Sequence, residues 1–268
     1  MKFDFISDLH LDYNLKIRKL NDKKKYIDFI KKLSPKNETI ILAGDLADTN
    51  EYIFNFLKVL KGYFYKNVIY VLGNHEYYVP IHDVVNSKAK IETIKEFCYR
   101  HEIYLLDGGI IEIDGIKFGG TMGWYDCKYL LSQYSTSKED ITNDWTHMSL
   151  DATYIRPQID IFDFFEVEKK KIEKVYRDCD VMITHVNPSI SDEHFSYKYK
   201  YQYTNAFYSF DGEKYLKDGF MKYWIFGHTH EELQYEEHGV KCICNAYGID
   251  SYDFRMDEKT IKEININF

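Results

Sequence analysis

A chain of 268 residues is long enough for one domain with a large core, and no Gly/Ser-rich or Pro-rich linker and no internal repeat divides it. We therefore expect a single domain spanning residues 1–268. The net charge of −8 disfavours the broad cationic surface on which nucleic-acid binding depends, although bound cations could still hold a small phosphorylated substrate. The five scattered cysteines suggest no disulfide framework, and no segment resembles a signal peptide or membrane span, so we expect a cytoplasmic protein.

Five short apolar runs are the clearest structural signals, in chain order "KFDFIS", "TIILAGD", "NVIYVLGNH", "DVMITH" and "YWIFGHTH". They are nearly continuous and rich in β-branched and aromatic residues, which is typical of strands buried on both faces. Helical spacing of apolar residues predicts one helix that begins at Asp48 or Thr49 as N-cap and ends at Gly62 as C-cap, and another over 159–176. Alternating strands and helices indicate an α/β fold.

After residue 102 the pattern changes to hairpins. "GGIIEIDGIKFGGT" and "LQYEEHGVKCICNAYG" each place a turn between two strand-like segments, and "IKEININF" adds another strand. We thus expect two β-sheets packed together with helices outside. The Tyr-rich segment 187–210 has no clear periodicity and is predicted to be a loop insertion that covers another part of the molecule. Cys242 and Cys244 alternate in the second hairpin, where we expect buried thiols rather than a metal or redox pair.

Polar side chains follow each of the five runs at the point where the predicted strand ends. Since ligand sites in open α/β sheets lie beyond the carboxyl ends of the strands, we expect these side chains to gather at one sheet edge. Glycines directly before three of them allow tight turns there. The eight residues are Asp8, His10, Asp45, Asn74, His75, His185, His228 and His230.

Carboxylate, amide and imidazole groups are ligands suited to divalent cations such as Mn, Fe, Co, Ni or Zn. Seven such residues are more than one ion needs, and they fit two ions that share a bridging carboxylate. A lone histidine at a strand end is more often structural, so the prediction depends on five motifs occurring together. The other histidines have no such setting and are expected to be surface or structural residues: His82, His101, His147, His194 and His238.

The order of the motifs resembles the signature of the calcineurin-like metallophosphoesterase family: D-x-H, G-D-x-x-D, G-N-H-(D/E), H and G-H-x-H. Here they read "DLH" at 8–10, "GDLAD" at 44–48, "GNHE" at 73–76, "TH" ending at 185 and "GHTH" at 227–230. The resemblance implies a four-layer α/β/β/α sandwich of two mixed β-sheets flanked by helices, with two divalent metal ions. It also implies the ligands: Asp8, His10 and His230 for the first ion, Asn74, His185 and His228 for the second, and Asp45 as the bridge.

The same resemblance implies hydrolysis of a phosphate ester by a hydroxide that bridges the two ions. His75 would be the general acid, and Asp48 would orient it while also being an N-cap candidate. Glu76 would not bind an ion itself and would at most support the residues that do. Mn²⁺ is the expected metal, with Fe, Zn, Ni or Co as alternatives.

The chain departs from the motifs of some branches of the family, and these differences narrow the range of expected substrates. Protein phosphatases carry arginines that "GDLADTN" and "LGNHE" lack, and "GGTMGWYD" resembles a segment of small cytosolic members in which Trp124 would line the pocket. We therefore expect a small phosphodiester or phosphomonoester as substrate, with no membrane partner and no extensive nucleic-acid surface. Two alternatives stay open: a nuclease that stacks single-stranded bases on "YKYKYQY", and a non-catalytic scaffold of the same fold, which the intact motifs disfavour.

Overall fold

A computed structural model of the protein describes residues 1–17, 19–81, 86–249 and 259–266. Two mixed β-sheets pack face to face between helices, which confirms the expected α/β/β/α sandwich. His82, one of the histidines predicted to be structural, lies outside the described residues. Within the described ranges, no helix has both the length and the apolar character needed to cross a membrane.

The first sheet contains three of the five predicted apolar strands. In sheet order its strands are β11 (Lys262–Asn265), β1 (Lys2–Ile6), β2 (Thr39–Ala43), β3 (Asn67–Val71) and β4 (Tyr104–Leu105). Strands β1 to β4 run parallel, while β11 pairs antiparallel with β1. The parallel strands direct their carboxyl ends to the same side of the molecule.

The second sheet holds the other two predicted runs and both hairpins. In sheet order its strands are β5 (Gly109–Ile113), β6 (Ile116–Gly120), β7 (Val181–Ile183), β8 (Tyr223–Phe226), β10 (Val240–Asn245) and β9 (Glu232–Glu237). Its four central strands are parallel, and antiparallel β5 and β9 form the edges. The predicted Asp-Gly turn joins β5 to β6, with positive φ at both Asp114 and Gly115.

Helices cover the outer faces of both sheets: α2 to α4 lie on the side of the first sheet, and α8 packs on β5 and β6. The helices are α1 (Leu11–Asn14), α2 (Lys23–Lys32), α3 (Asn50–Tyr63), α4 (Ser87–Arg100), α5 (Lys128–Gln133), α6 (Lys138–Met148), α7 (Leu150–Tyr154), α8 (Ile161–Val175) and α9 (Glu213–Asp218). Both predicted helices are present. Thr49 is the N-cap of α3, whereas the prediction of Gly62 as C-cap is wrong, because the helix continues through it to Tyr63.

The core between the sheets explains why the strand signals were so strong. Phe3 and Phe5 of β1 face the second sheet and meet side chains such as Phe118 and Ile225, all of them buried. Side chains on the opposite faces of the strands, such as Leu42 of β2, pack beneath the helices instead. Because each strand is covered on both faces, an apolar side chain is favoured at nearly every position, at about 1.5–3 kcal/mol for each large side chain buried.

The Tyr-rich segment 187–210, called the cap below, contains two 3₁₀ turns, Asp192–His194 and Tyr203–Phe207. A bridge between Asn187 and Ser209 closes its two ends. Residues near its end line a cavity beside the carboxyl ends of the central strands, so the cap does cover another part of the molecule.

Candidate metal centre

The predicted ligands lie where the carboxyl ends of β1, β2 and β3 meet those of β7 and β8. The expectation of a single sheet edge is wrong, since β7 and β8 belong to the second sheet. Packing the two sheets face to face brings their carboxyl ends together. The loops after five strands consequently enclose one polar, largely buried centre.

The acidic and histidine side chains of the centre form two groups that share one carboxylate. In each group the potential ligand atoms lie within 4.8 Å of one another. Asp45 belongs to both and lies between them. The first group is Asp8, His10, Asp45 and His230, and the second is Asp45, His185 and His228.

Strained backbone accompanies these side chains. Five of the predicted ligands have positive φ, a left-handed conformation that costs roughly 1–3 kcal/mol for a residue other than glycine. Folding tolerates this cost where the conformation directs a side chain into a functional site. Gly73 leaves room for the centre, because a Cβ atom at that position would collide with the carboxylate of Asp45. The five strained residues are Asp8, His10, Asp45, His228 and His230.

The Asp45 carboxylate has an unusual environment. Its Oδ1 accepts a hydrogen bond from the backbone N–H of His75 at 3.0 Å. Its Oδ2 is buried and accepts no hydrogen bond from the described residues, although three imidazole Nε2 atoms surround it, at 3.2 Å from His185, 3.7 Å from His10 and 3.8 Å from His75. A buried carboxylate oxygen facing several ring nitrogens fits a divalent cation held between them.

Asn74 presents its carbonyl to the same centre. Its Oδ1 lies 3.1 Å from Nε2 of His185, and its amide group donates to the hydroxyl of Tyr78 at 3.1 Å and to Oδ1 of Asp151 at 2.8 Å. Asp151 is buried and also accepts hydrogen bonds from the hydroxyls of Tyr78 and Tyr125, at 2.6 and 2.7 Å. The Asp151 carboxylate therefore fixes which way the Asn74 amide is turned.

His75 and Asp48 meet as expected. Nδ1 of His75 lies 2.6 Å from Oδ1 of Asp48, and the other Asp48 oxygen accepts a hydrogen bond from Tyr13. The buried ammonium of Lys90 donates to the backbone carbonyls of Asp48 and Tyr78, at 2.5 and 2.8 Å. Lys90 thereby connects the loop after β2 to the turn after β3, and this connection holds the side chains of Asp48 and His75 in contact.

Burial and charge give the imidazoles very different pKa values. Burial, reinforced by the neighbouring His185, lowers the pKa of His228 to about 3. Although burial disfavours a charged ring, the Asp45 carboxylate raises the pKa of His185 to about 10, and Asp45 with Asp48 raises that of His75 to about 9. Burial alone would raise the pKa of Asp45, but His185 and His75 hold it well below its usual value. The shared carboxylate is therefore ionised, as a metal ligand must be.

Glu76 supports the centre from behind. Its buried carboxylate accepts hydrogen bonds from the backbone N–H groups of Asp45, Leu46 and Gly73, at 3.1, 2.7 and 2.6 Å, and from the hydroxyl of Tyr70. These four contacts tie the turn after β2 to the turn after β3. The expectation that Glu76 acts only through neighbouring residues agrees with this position.

The expectation that Trp124 lines the pocket is wrong. Its side chain is fully buried, stacked on Tyr125 with 4.2 Å between ring centroids and packed against Phe164. The next residue makes the polar contact instead, since the Tyr125 hydroxyl donates to Asp151 and accepts from Trp145. The "GGTMGWYD" segment therefore reaches the centre through the hydrogen bond from Tyr125 to Asp151.

Comparison with known proteins agrees with this arrangement. The sequence model described as calcineurin-like phosphoesterase matches residues 1–232. The chain belongs to this family. An uncharacterized protein of Acanthamoeba polyphaga mimivirus is 27% identical over 281 residues, covering 91% of this chain and 90% of its own. An uncharacterized metallophosphoesterase of Campylobacter jejuni is 32% identical over 124 residues, which span 43% of this chain but only 29% of that protein.

Solved structures extend the likeness to the whole fold. The phosphopantetheinyl hydrolase of Mycobacterium tuberculosis superposes with a TM-score of 0.74, covering 98% of this chain and 95% of its own. At 14% identity this likeness concerns the fold alone. Membership of the calcineurin-like phosphoesterase family implies a hydrolase, and the His/Asp clusters described above are groups that could hold its metal ions.

Proposed function

We propose that this chain is a phosphoesterase that depends on two divalent cations and hydrolyses a small phosphodiester or phosphomonoester. The observation that carries the proposal is the buried Asp45 oxygen, which faces three imidazole nitrogens without accepting a hydrogen bond from the described residues. A buried carboxylate oxygen among ring nitrogens is a set of ligands that a divalent cation would join. The same carboxylate belongs to both ligand groups.

The residues present fit two cations. Asp8, His10 and His230 would hold one, Asn74, His185 and His228 the other, and Asp45 would contact both. Mixed nitrogen and oxygen ligands can hold Mn²⁺, which we expect as the occupant where it is abundant, with Fe, Zn, Ni or Co as competing occupants. The cations would supply Lewis acidity, activating water and offsetting the charge on the phosphoryl oxygens.

The chain's own residues supply proton transfer and orientation. With Nδ1 held by Asp48, His75 directs Nε2 toward the cavity, where it can donate a proton to the departing ester oxygen. Asp48 fixes the ring orientation and stabilises its protonated form. Phe207 and Tyr208 of the cap line the same cavity.

A chelation experiment tests the proposal directly. After dialysis against a chelator, hydrolysis of bis-p-nitrophenyl phosphate and p-nitrophenyl phosphate is expected to cease, and to return when Mn²⁺ approaches two equivalents per chain. Metal content measured on the same samples must follow the activity. Undiminished hydrolysis by protein with no bound metal would contradict the proposal.

Replacing Asp151 tests whether its carboxylate sets the orientation of the Asn74 side-chain amide. Asp151→Ala removes the acceptor of three buried donors, on Asn74, Tyr78 and Tyr125, so unfolding free energy is expected to fall by about 3 kcal/mol or more. Because the freed Asn74 amide can turn its carbonyl away, Mn²⁺ affinity should fall by about 10- to 100-fold. Chemical denaturation and calorimetric titration measure the two effects. Tyr125→Phe, which leaves the Asp151–Asn74 contact in place, should change Mn²⁺ affinity little.

We also propose that the protein is cytoplasmic and acts on a small phosphorylated molecule. All five cysteines are buried and unpaired, which is typical of a reducing compartment. The nuclease alternative has less support. Tyr197 and Tyr201 are exposed, but Lys200 is paired with Glu193 at 2.7 Å, and the chain is acidic overall. Nucleic-acid binding that weakens steeply with salt would favour that alternative.

A further inference from the structure

Two cavities meet at the candidate metal centre. The central cavity, of about 470 Å³, is lined by Asp45, Asn74 and His75, among others. A smaller one of about 150 Å³, called the cap pocket, lies between the cap and the loop after β8. The two share three lining residues, so they lie side by side. The shared residues are Thr204, Tyr208 and His230.

The cap pocket has walls that hydrogen bonds hold in place. The side-chain amide of Asn205 donates to the backbone carbonyl of Tyr199 at 2.8 Å, and that of Gln202 donates to Lys198 at 3.0 Å. The Ser209 hydroxyl donates in turn to the carbonyl of Asn205. The aromatic and amide side chains that line the pocket are thus fixed before a ligand arrives.

Outside the metal centre, the described lining of the two cavities carries no counter-charge for a second phosphate. No lysine or arginine occurs among the described residues that line them. The neighbouring lysines are engaged by the protein itself: Lys90 and Lys259 reach backbone carbonyls, Lys200 pairs with Glu193, and the ammonium of Lys198 lies over the ring of Tyr199. Binding of a phosphate typically depends on arginine, lysine or bound cations. Beyond the metal centre, both cavities therefore favour uncharged groups.

Part of the lining of the central cavity is apolar and exposed. Met148 and Leu150, on either side of Ser149 where α6 ends and α7 begins, both line the cavity and are each 58% exposed. Apolar side chains exposed at the rim of a polar cavity mark a surface that a ligand covers. His75 lines this cavity and is absent from the described lining of the cap pocket.

We infer that the substrate is a phosphodiester carrying two uncharged organic groups, one along Met148 and Leu150 and the other in the cap pocket beside Tyr199. This inference builds on the proposed function. The group beside His75 departs: the oxygen of water forms a bond to phosphorus, the bond from phosphorus to the departing oxygen breaks, and that oxygen takes the proton of His75. The products are an alcohol and the phosphomonoester of the group in the cap pocket.

The test compares three esters on the full chain loaded with Mn²⁺. The value of kcat/KM for bis-p-nitrophenyl phosphate should exceed that for p-nitrophenyl phosphate by about ten-fold or more, because only the diester fills the cap pocket. A diester whose second group is p-carboxyphenyl should be cleaved more slowly than the uncharged diester, since the described lining of the cap pocket includes no lysine or arginine to pair with a carboxylate. A preference for the monoester, or for the charged diester, would overturn the inference while leaving the proposed function intact.

Substitutions in the cap then show which residue causes the preference for the diester. Tyr199→Ala should lower kcat/KM for the diester by about ten-fold and that for the monoester by much less, whereas Tyr197→Ala, in the same segment but 94% exposed, should alter neither. If Tyr199→Ala loses activity toward both esters to the same extent, Tyr199→Leu, a smaller truncation that removes the ring but keeps part of the apolar volume, must show the selective loss or the inference fails. If wild-type protein with two bound cations cleaves none of the esters, the proposed function itself fails.

Discussion

His75→Asn is expected to lower the rate of hydrolysis by about 10²- to 10⁴-fold, the usual contribution of general acid catalysis, without changing the metal content. The ring is the group at the centre whose Nδ1 is held by Asp48, which leaves its other nitrogen to face the cavity. Asparagine keeps a polar side chain there but has no proton of suitable acidity to give. Steady-state kinetics with metal analysis on the same preparation measures both quantities.

The chemical nature of the departing group sharpens that test. An alkyl ester such as glycerol phosphate needs a proton on its leaving oxygen, while p-nitrophenolate departs readily without one, so His75→Asn should slow the alkyl ester far more. Asp48→Asn should show a weaker form of the same selectivity, because it removes the orienting carboxylate. His147→Asn, on the exposed face of α6, is the matched control. Equal losses for both esters would mean that His75 is not the acid.

Asp45→Asn is expected to reduce the rate by about 10³-fold or more, because loss of cation binding removes several kcal/mol of transition-state stabilisation. Asparagine can still accept the hydrogen bond from the His75 backbone, so the loop after β2 should keep its conformation. The substitution removes the negative charge that the two ligand groups share. Cation binding should weaken at both groups together.

Metal titration separates this effect from misfolding. Calorimetry with Mn²⁺ should show that both binding steps of the wild-type chain weaken in Asp45→Asn, while circular dichroism of the metal-free proteins is unchanged. Asp28→Asn, the same change of charge on the exposed surface of α2, should bind Mn²⁺ like the wild type. Loss of one binding step with the other unaltered would contradict the shared role of Asp45.

The sheets and most of the centre could be predicted because their signals are local. A strand buried on both faces must be apolar along its whole length, as in "NVIYV", and this pattern is visible in a few residues. The predicted ligands follow such strands directly, so locating the strand also locates the side chain. That is why the sequence alone predicts side chains that the fold brings together at one centre.

Asp151 could not be predicted because its partners are distant in sequence. Tyr125, Tyr78 and Asn74 lie 26, 73 and 77 residues away, and "SLDATY" around it has no strand or ligand motif. The predictions for Gly62 and Trp124 were wrong. The helix α3 runs one residue beyond Gly62, to Tyr63, and the burial of Trp124 depends on Phe164, which belongs to a helix 40 residues on.

Anomalous diffraction from crystals grown with Mn²⁺ tests the central claim most directly. Two peaks are expected, one on each side of the Asp45 carboxylate, the first near His10 and His230 and the second near His185 and His228. A single peak, or peaks beyond bonding distance of Asp45, would contradict a centre in which two cations share that carboxylate.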